Sequence, residues 1–169
     1  MLSGNTSIQS PTEERRAESH KLIEDLMHSR TSILALYSRL ADRKPFEQQD
    51  HAEVFELLEE FCQLLIDYTA AAHFRLYRYV DENKEKRRAV LEVAERIYPR
   101  ICEITQTILD FNDRYDQQLQ KKTAINTLEK DLSSLGVDMA QRIELEDQLI
   151  HVMNAPRTRS GAGLGTAKR

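Results

Sequence analysis

The stretch VFELLEEFCQLLIDYTAAAHFRLYRYV, residues 54–80, decides the fold. Its apolar residues recur at alternating intervals of four and three, which is the period of one face of an α-helix. They are Val54, Leu58, Phe61, Leu65, Tyr68, Ala72, Leu76 and Tyr79. Asp50 offers an N-cap, and Glu53 stands where the second half of a capping box belongs. The pattern therefore predicts one long amphipathic helix from residue 50 to about residue 80.

Three other segments carry the same apolar rhythm, at about 12–42, 90–115 and 123–153. Pro99 lies inside the second of them, where proline removes a helical hydrogen bond and bends the axis. Four amphipathic helices bury their apolar stripes best against one another. We therefore expect an all-α protein, an antiparallel bundle of four long helices with the third kinked at Pro99.

The length and composition indicate a single domain. The 169 residues suit one hydrophobic core. We expect a flexible N-terminus over residues 1–15, a helical-bundle domain over 16–153 and a disordered basic tail over 154–169. The tail is small and polar, and it has too little apolar surface to offset the entropy of ordering.

The cellular setting is inferred from the two cysteines and the hydropathy. Cys62 and Cys102 both fall in apolar helical patterns without a CxxC spacing, which predicts reduced, buried thiols. No apolar run approaches the roughly 18 residues of a membrane span, and the N-terminus lacks a secretory signal. The sequence therefore predicts a cytoplasmic protein with no membrane contact.

The charge is unevenly distributed along the chain. Without the four basic residues after Asn154, 20 basic and 28 acidic side chains remain, a net charge of −8. Such a body repels phosphates, so direct nucleic-acid binding is not expected. It would steer the encounter with a basic protein partner, although solubility alone explains the charge equally well.

One aromatic residue of the 54–80 helix, Phe74, falls on the face opposite the core series. At about 100° per residue, Asp67, Ala71, Phe74 and Arg78 fall opposite the core series, and Leu64 flanks them. The chain itself could cover Phe74, or the ring could anchor a partner beside the small alanines. His73 falls at the edge of the apolar band. We expect it to be a core-edge imidazole, which Tyr77 would shield.

Residues 61–77, FCQLLIDYTAAAHFRLY, resemble the signature FCQ-x-L-x-DY-x-SAGHF-x-x-Y of the Rsd/AlgQ family of anti-sigma regulators. Further segments agree in order: HKLIEDLMHSR (20–30), LYSRLADRKPF (36–46), IYPRICEITQTILDFND (97–113) and LEDQLI (145–150). The similarity covers residues 16–153. The DY…HF block is its specific part.

The resemblance implies a function without catalysis, cofactor or metal. Members of the family are helical and bind the C-terminal DNA-binding domain of the housekeeping sigma factor of RNA polymerase, blocking its contacts with the −35 element and the polymerase flap. The resemblance implies that Asp67 and Phe74 belong to the sigma-factor-binding surface, with Leu22 contributing from the first helix. We expect Ala71, Arg78 and the flanking Leu64 to belong to the same surface, because the helical wheel places them beside Asp67 and Phe74. Tyr68, His73 and Tyr77 form the supporting motif. The family's Ser-Ala-Gly is here Ala70, Ala71 and Ala72, which removes a hydroxyl and adds a methyl group.

Three alternatives stay open at this point. His73 could be the acceptor of a histidine phosphotransfer module, with Arg75 and Arg78 near in sequence. A metal-binding bundle would need two Glu-x-x-His motifs, and only Asp25 and His28 have an acid-x-x-His spacing. Weak self-association is the third alternative, because apolar patches on helical bundles often pair.

Overall fold

The computed structural model describes residues 10–118 and 124–156, and four α-helices account for nearly all of them. They are α1 (Pro11–Ala41), α2 (His51–Asp81), α3 (Arg88–Gln118) and α4 (Ala124–Asn154). A single 3₁₀ turn, Phe46–Gln48, lies between α1 and α2. The described residues contain no strand. The predicted all-α class with four long helices is confirmed.

The first helix begins at a complete capping box. The Ser10 hydroxyl accepts a hydrogen bond from the Glu13 N–H (3.4 Å), and the Glu13 carboxylate accepts one from the Ser10 N–H (3.1 Å). Pro11 fills the first helical position, where its missing N–H costs nothing. Residues 11–15, assigned from sequence to a flexible N-terminus, are therefore helical. Residues 1–9 and the tail from residue 157 lie outside the described residues.

The second helix begins at a simpler cap than the sequence indicates. Asp50 caps it, accepting at Oδ1 a hydrogen bond from the Ala52 N–H (2.9 Å). Glu53 instead accepts a hydrogen bond from Arg43 (3.1 Å) in the segment that leads out of α1. The predicted N-cap is confirmed, while the second half of the predicted capping box is replaced by an ion pair.

One hydrophobic core runs between the four helices. The α2 core series from Val54 to Leu76 is buried throughout, as its period predicts. The side chain of Tyr79, the last member of that series, lies outside the described residues. The other helices add Leu26, Ile33, Leu36 and Leu40 from α1, Ile97, Ile101, Ile104 and Ile108 from α3, and Leu128, Leu132, Leu135 and Leu149 from α4.

Neighbouring helices contact each other in opposite chain directions. As the residue number rises along one helix, the number of the contacted residue on the next helix falls. The pairs are Arg30–Glu146 and Tyr37–Leu132 between α1 and α4, Tyr37–Phe61 and Arg30–Tyr68 between α1 and α2, and Arg100–Asp138 and Arg114–Asp131 between α3 and α4. The helix α3 continues through Pro99, which is exposed. The kink there stays a prediction.

The two thiols have different environments. Cys62 is buried, and burial, followed by the nearby Asp116 carboxylate, raises its pKa to about 12. Cys102 is exposed, so the prediction of a buried thiol is wrong for it. The reason is its helical position: it follows Ile101, a core residue, and one step along the helix turns it about 100° from the core.

None of the described helices combines the length and the apolarity that a bilayer span requires.

Candidate protein-binding surface

Four side chains of α2 share the face that points away from the core, and Leu64, which packs against the core, flanks them. We call these five side chains the α2 stripe: Leu64, Asp67, Ala71, Phe74 and Arg78. Their spacing of three and four residues keeps them on one side of the helix. Asp67, Phe74 and Arg78 are exposed, whereas Leu64 and Ala71 are half-buried. The structure therefore brings these five predicted residues together on one accessible surface.

Phe74 is the large apolar group of the stripe, with 58% of its surface exposed. The guanidinium carbon of Arg78 lies 4.7 Å from the centroid of its ring, within the range of a cation–π contact. Arg78 in turn donates from Nε to Glu82 (3.1 Å). The ring is thus oriented by its own helix, and the other residues that the structure describes leave it more than half exposed.

The other end of the stripe is acidic. Asp67 accepts at Oδ1 a hydrogen bond from the Gln63 side chain (3.2 Å), which holds the carboxylate on the helix surface. Glu56 and Glu60 precede it on the same helix and are exposed. A partner that crossed this face of α2 would meet carboxylates at one end and an aromatic ring at the other.

The three alanines between these ends have three environments. Ala70 is exposed, Ala71 is half-buried and Ala72 is buried in the core. Side chains this small leave the helix backbone open to close approach from outside at Ala70 and Ala71. Only those two alanines therefore belong to the candidate surface, whereas Ala72 serves the packing of the bundle.

Leu22 is half-buried on α1. Arg30 donates to the Tyr68 hydroxyl (3.1 Å), and the rings of Tyr37 and Phe61 are 5.9 Å apart, which fixes the opposed register of α1 and α2. Continued along α1, that register brings Leu22 level with the end of the stripe that carries Phe74 and Arg78. Leu22 thus lies at the same level along the bundle as Phe74, where apolar side chains would add to the contact area of an aromatic anchor.

His73 is at the surface, so its prediction as a core-edge residue is wrong. Its side chain is 48% exposed, and Nε2 lies 3.4 Å from Oδ2 of Asp81. Tyr77 takes the buried position instead and stacks on the imidazole with ring centroids 5.7 Å apart. Tyr98 of α3 packs against both rings. Tyr77, which was expected to shield the imidazole, contacts it from the inner side and leaves its outer side exposed.

Tyr68 serves a buried polar cluster, not the exposed surface. Its hydroxyl donates to Glu146 and accepts from Arg30. Burial raises the pKa of Tyr68, and the Glu146 carboxylate raises it further. Because Tyr68 is adjacent to Asp67, this cluster fixes the rotation of α2 at the middle of the stripe.

We call the cluster the core charge network, and it joins all four helices. Glu146 is fully buried and pairs with Arg142 at 2.7 Å and with Arg30 at 3.2 Å. Its members are Arg30, Tyr68, Thr105, Arg142, Glu146 and Asp147. Burial lowers the pKa of Arg30, but hydrogen bonds to Asp147 and Tyr68 more than offset this and hold it above its usual value.

Sequence reasoning missed this network, although a signal for it exists. Arg142 and Glu146 lie between Met139 and Leu149 at intervals of three and four residues, which are core positions of α4. Charged residues at such positions are almost never fully buried unless they are paired. A buried ion pair could therefore have been inferred from the period alone.

Within residues 10–118 and 124–156, no three His, Cys, Asp or Glu side chains gather so as to hold a metal ion.

Comparison with known families and proteins gives one consistent result. A family model described as Regulator of RNA polymerase sigma(70) subunit, Rsd/AlgQ, matches residues 6–154. A protein of Shigella boydii named Regulator of sigma D is 36% identical over 155 residues, covering 88% of this chain and 94% of that protein.

Proteins of the same name from two Yersinia species are similarly related. The one from Yersinia pseudotuberculosis is 30% identical over 138 residues, covering 81% of this chain and 82% of its own length. The one from Yersinia enterocolitica is 31% identical over 139 residues, covering 81% and 83%. No solved structure matches the chain significantly.

Proposed function

The chain belongs to the Rsd/AlgQ family, and from this premise we propose that it is a cytoplasmic anti-sigma factor. It binds the C-terminal DNA-binding region of the housekeeping sigma factor and blocks that region's contacts with the −35 element and the polymerase. The description of the family, a regulator of the sigma(70) subunit, and the name shared by the relatives support the proposal.

The main observation that supports this location of the binding site is the exposure of Phe74 on an acidic helix face. An aromatic ring that is 58% exposed is available to a partner's apolar side chains. Truncation of such an anchor at the centre of an interface commonly costs about 2 kcal/mol or more. Leu22 and Leu64 would supply further apolar area to the same interface.

The carboxylates of the stripe supply charge complementarity. A DNA-binding domain presents arginines and lysines that would otherwise contact phosphates. Asp67, Glu56 and Glu60 offer those cations an alternative partner on one exposed helix face. Exposed ion pairs contribute little to affinity, so we expect these residues to act mainly on the association rate. The mechanism is occlusion, with no chemical step.

The test is a calorimetric titration of the purified housekeeping sigma factor with the parent chain and with Phe74→Ala. We expect Phe74→Ala to weaken binding about 30-fold, which is about 2 kcal/mol at 1.4 kcal/mol per tenfold. Leu109→Ala is the matched control, because Leu109 is an exposed apolar residue on α3. Glu56→Ala should change the dissociation constant less than Phe74→Ala does.

The outcomes separate the site from the function. If Phe74→Ala binds as tightly as the parent, the α2 stripe is not the binding surface. If the parent itself forms no complex with the sigma factor, the proposed function fails. Helix content by circular dichroism should be the same for all variants, since none of the substituted side chains lies in the core.

The comparisons give no support to a phosphotransfer role for His73. The Asp81 carboxylate, 3.4 Å from its imidazole, would repel an incoming phosphoryl group. We therefore do not propose phosphotransfer for this chain.

A further inference from the structure

A surface groove lies between residues 20–31 of α1 and the end of α4, apart from the α2 stripe. Its volume is about 340 Å³, and its floor is formed by Ile23 and Met27. Glu24, His20 and Asn154 stand at its rim. A recess with an apolar floor and a polar rim is suited to a short peptide segment.

The groove has a negative bias. Glu24 lies 3.5 Å from the His20 imidazole and is exposed. Residues 11–28 of α1 carry five acidic and three basic side chains. A cationic segment lying along this part of α1 would therefore be favoured over an anionic one.

The segment that follows α4 has the complementary chemistry. Residues 157–169, RTRSGAGLGTAKR, hold Arg157, Arg159, Lys168 and Arg169 and no acidic residue. Leu164 is the one large apolar residue among them. Apart from Leu164 and the four basic residues, the segment consists of Gly, Ala, Ser and Thr, which could follow the floor of a groove without steric conflict.

The geometry allows the segment to reach the groove. Asn154, the last residue of α4, itself lines the groove. The groove extends over residues 20–31 of α1, which at 1.5 Å per residue is about 17 Å. Thirteen residues can extend to about 43 Å. Tethering also gives a local concentration on the order of millimolar, so a weak contact suffices.

We propose that residues 157–169 dock in this groove of their own chain, with Leu164 against Ile23 and Met27 and the arginines toward Glu24. The groove is then occupied by the chain itself, and a foreign peptide must displace the segment to enter. The proposal does not depend on the proposed sigma-factor binding.

The first test uses the full chain labelled with ¹³C at the methionine and isoleucine methyl groups. The parent is compared with a full-length variant that carries Arg157→Gln, Arg159→Gln, Lys168→Gln and Arg169→Gln. We expect the Ile23 and Met27 methyl resonances to shift, while Met139, which is buried in the core, does not. Superimposable Ile23 and Met27 signals would overturn the proposal.

The second test measures tryptic cleavage after Arg157 and Arg159 in the full chain by mass spectrometry. Glu24→Gln should accelerate cleavage several-fold, whereas Glu18→Gln, an exposed residue of α1 that does not line the groove, should not. Equal rates for Glu24→Gln and the parent argue against docking. Methyl shifts that depend on protein concentration would point to a second copy as the occupant and would also overturn it.

Discussion

Two residues of the same type can have opposite environments in this protein, as its two cysteines show. Cys62 faces the core, and its pKa is raised to about 12, chiefly by burial. Cys102 is exposed on α3. The thiolate is the reactive form of cysteine, so a group whose pKa lies well above the pH of the solution reacts slowly.

We predict that an aromatic disulfide reagent at pH 8 modifies one thiol of the native protein rapidly and the second only after unfolding. Cys102→Ser should abolish the rapid phase, and Cys62→Ser should leave it intact. Absorbance of the released thiol, followed with and without urea, measures both phases. Rapid modification of two thiols in the native state would contradict the burial of Cys62.

At Phe74 the helical period placed the ring on the face opposite the core, because a wheel needs only sequence spacing, but it left open whether the chain covers the ring. The same reasoning failed at His73, where the wheel angle was close to the boundary between core and surface. There the larger Tyr77 ring takes the interior position and leaves the imidazole outside. Competition between neighbouring side chains for one space is a property of the packed structure and does not appear in the period.

Among the helices, the crossing of α1 and α4 depends on one close contact. Tyr37 donates from its hydroxyl to the Leu132 carbonyl (3.0 Å) and lies directly over Gly136. A Cβ atom on residue 136 would come within 2.7 Å of Cζ of Tyr37, and closer still to its hydroxyl oxygen. Glycine, which weakens an isolated helix, is therefore needed here for the approach of the two helices.

We predict that Gly136→Ala destabilises the protein, because overpacking usually costs about 1–3 kcal/mol. The better helix propensity of alanine offsets about 1 kcal/mol of this cost, so the net loss should be about 2 kcal/mol or less. Urea unfolding measures the change. In a Tyr37→Ala background the same substitution should become stabilising, because the ring is gone. A stabilising effect in the parent background would show that Tyr37 moves aside without cost.

Most of the helical organisation could be predicted, because each helix keeps its apolar period for many turns. The boundaries were harder to predict. The start expected for the first helix, at about residue 12, is close to the observed Pro11, but the capping box at Ser10 and Glu13 was missed, and the domain boundary expected at residue 16 lies inside the helix. At Asp50 the cap was found, but Arg43 takes Glu53 as an ion-pair partner. That contact depends on how the chain enters α2.

For the molecule as a whole, the core charge network determines how the four helices fit together. Glu146 accepts from Arg30 of α1, Tyr68 of α2 and Arg142 of its own helix, and Arg142 reaches Thr105 of α3. A buried charge without its partner is costly, so arrangements that separate these groups are disfavoured. The network therefore favours one register among the many that apolar stripes would accept.

We predict that Glu146→Ala destabilises the protein by about 3–5 kcal/mol, because two buried arginines lose their carboxylate. Asp147→Ala is the matched control. Its side chain is 53% exposed, and its loss should cost about 1 kcal/mol or less. Chemical denaturation at neutral pH compares the two. A Glu146→Ala variant as stable as Asp147→Ala would mean that the arginines find other partners.

The outward position of Phe74 was inferred from the sequence and the core charge network was not, for related physical reasons. An apolar residue on a polar face is visible in the period, as Phe74 was. Arg142 and Glu146 are charged residues on an apolar face, and this pattern was not recognised as a buried ion pair. Their partners, Arg30 and Tyr68, are distant in sequence, so only the assembled bundle identifies them.

The carboxylates of α2 are exposed and the core charge network is buried, so the two should respond differently to ionic strength. Dissolved ions screen exposed charges over a Debye length of about 10 Å at 0.1 M, but they reach buried pairs far less. Adding sodium chloride should therefore slow capture of a basic partner by the carboxylates of α2 while leaving the interior pairs around Glu146 intact. A salt series thus distinguishes a weakened encounter from a weakened fold in a single protein sample.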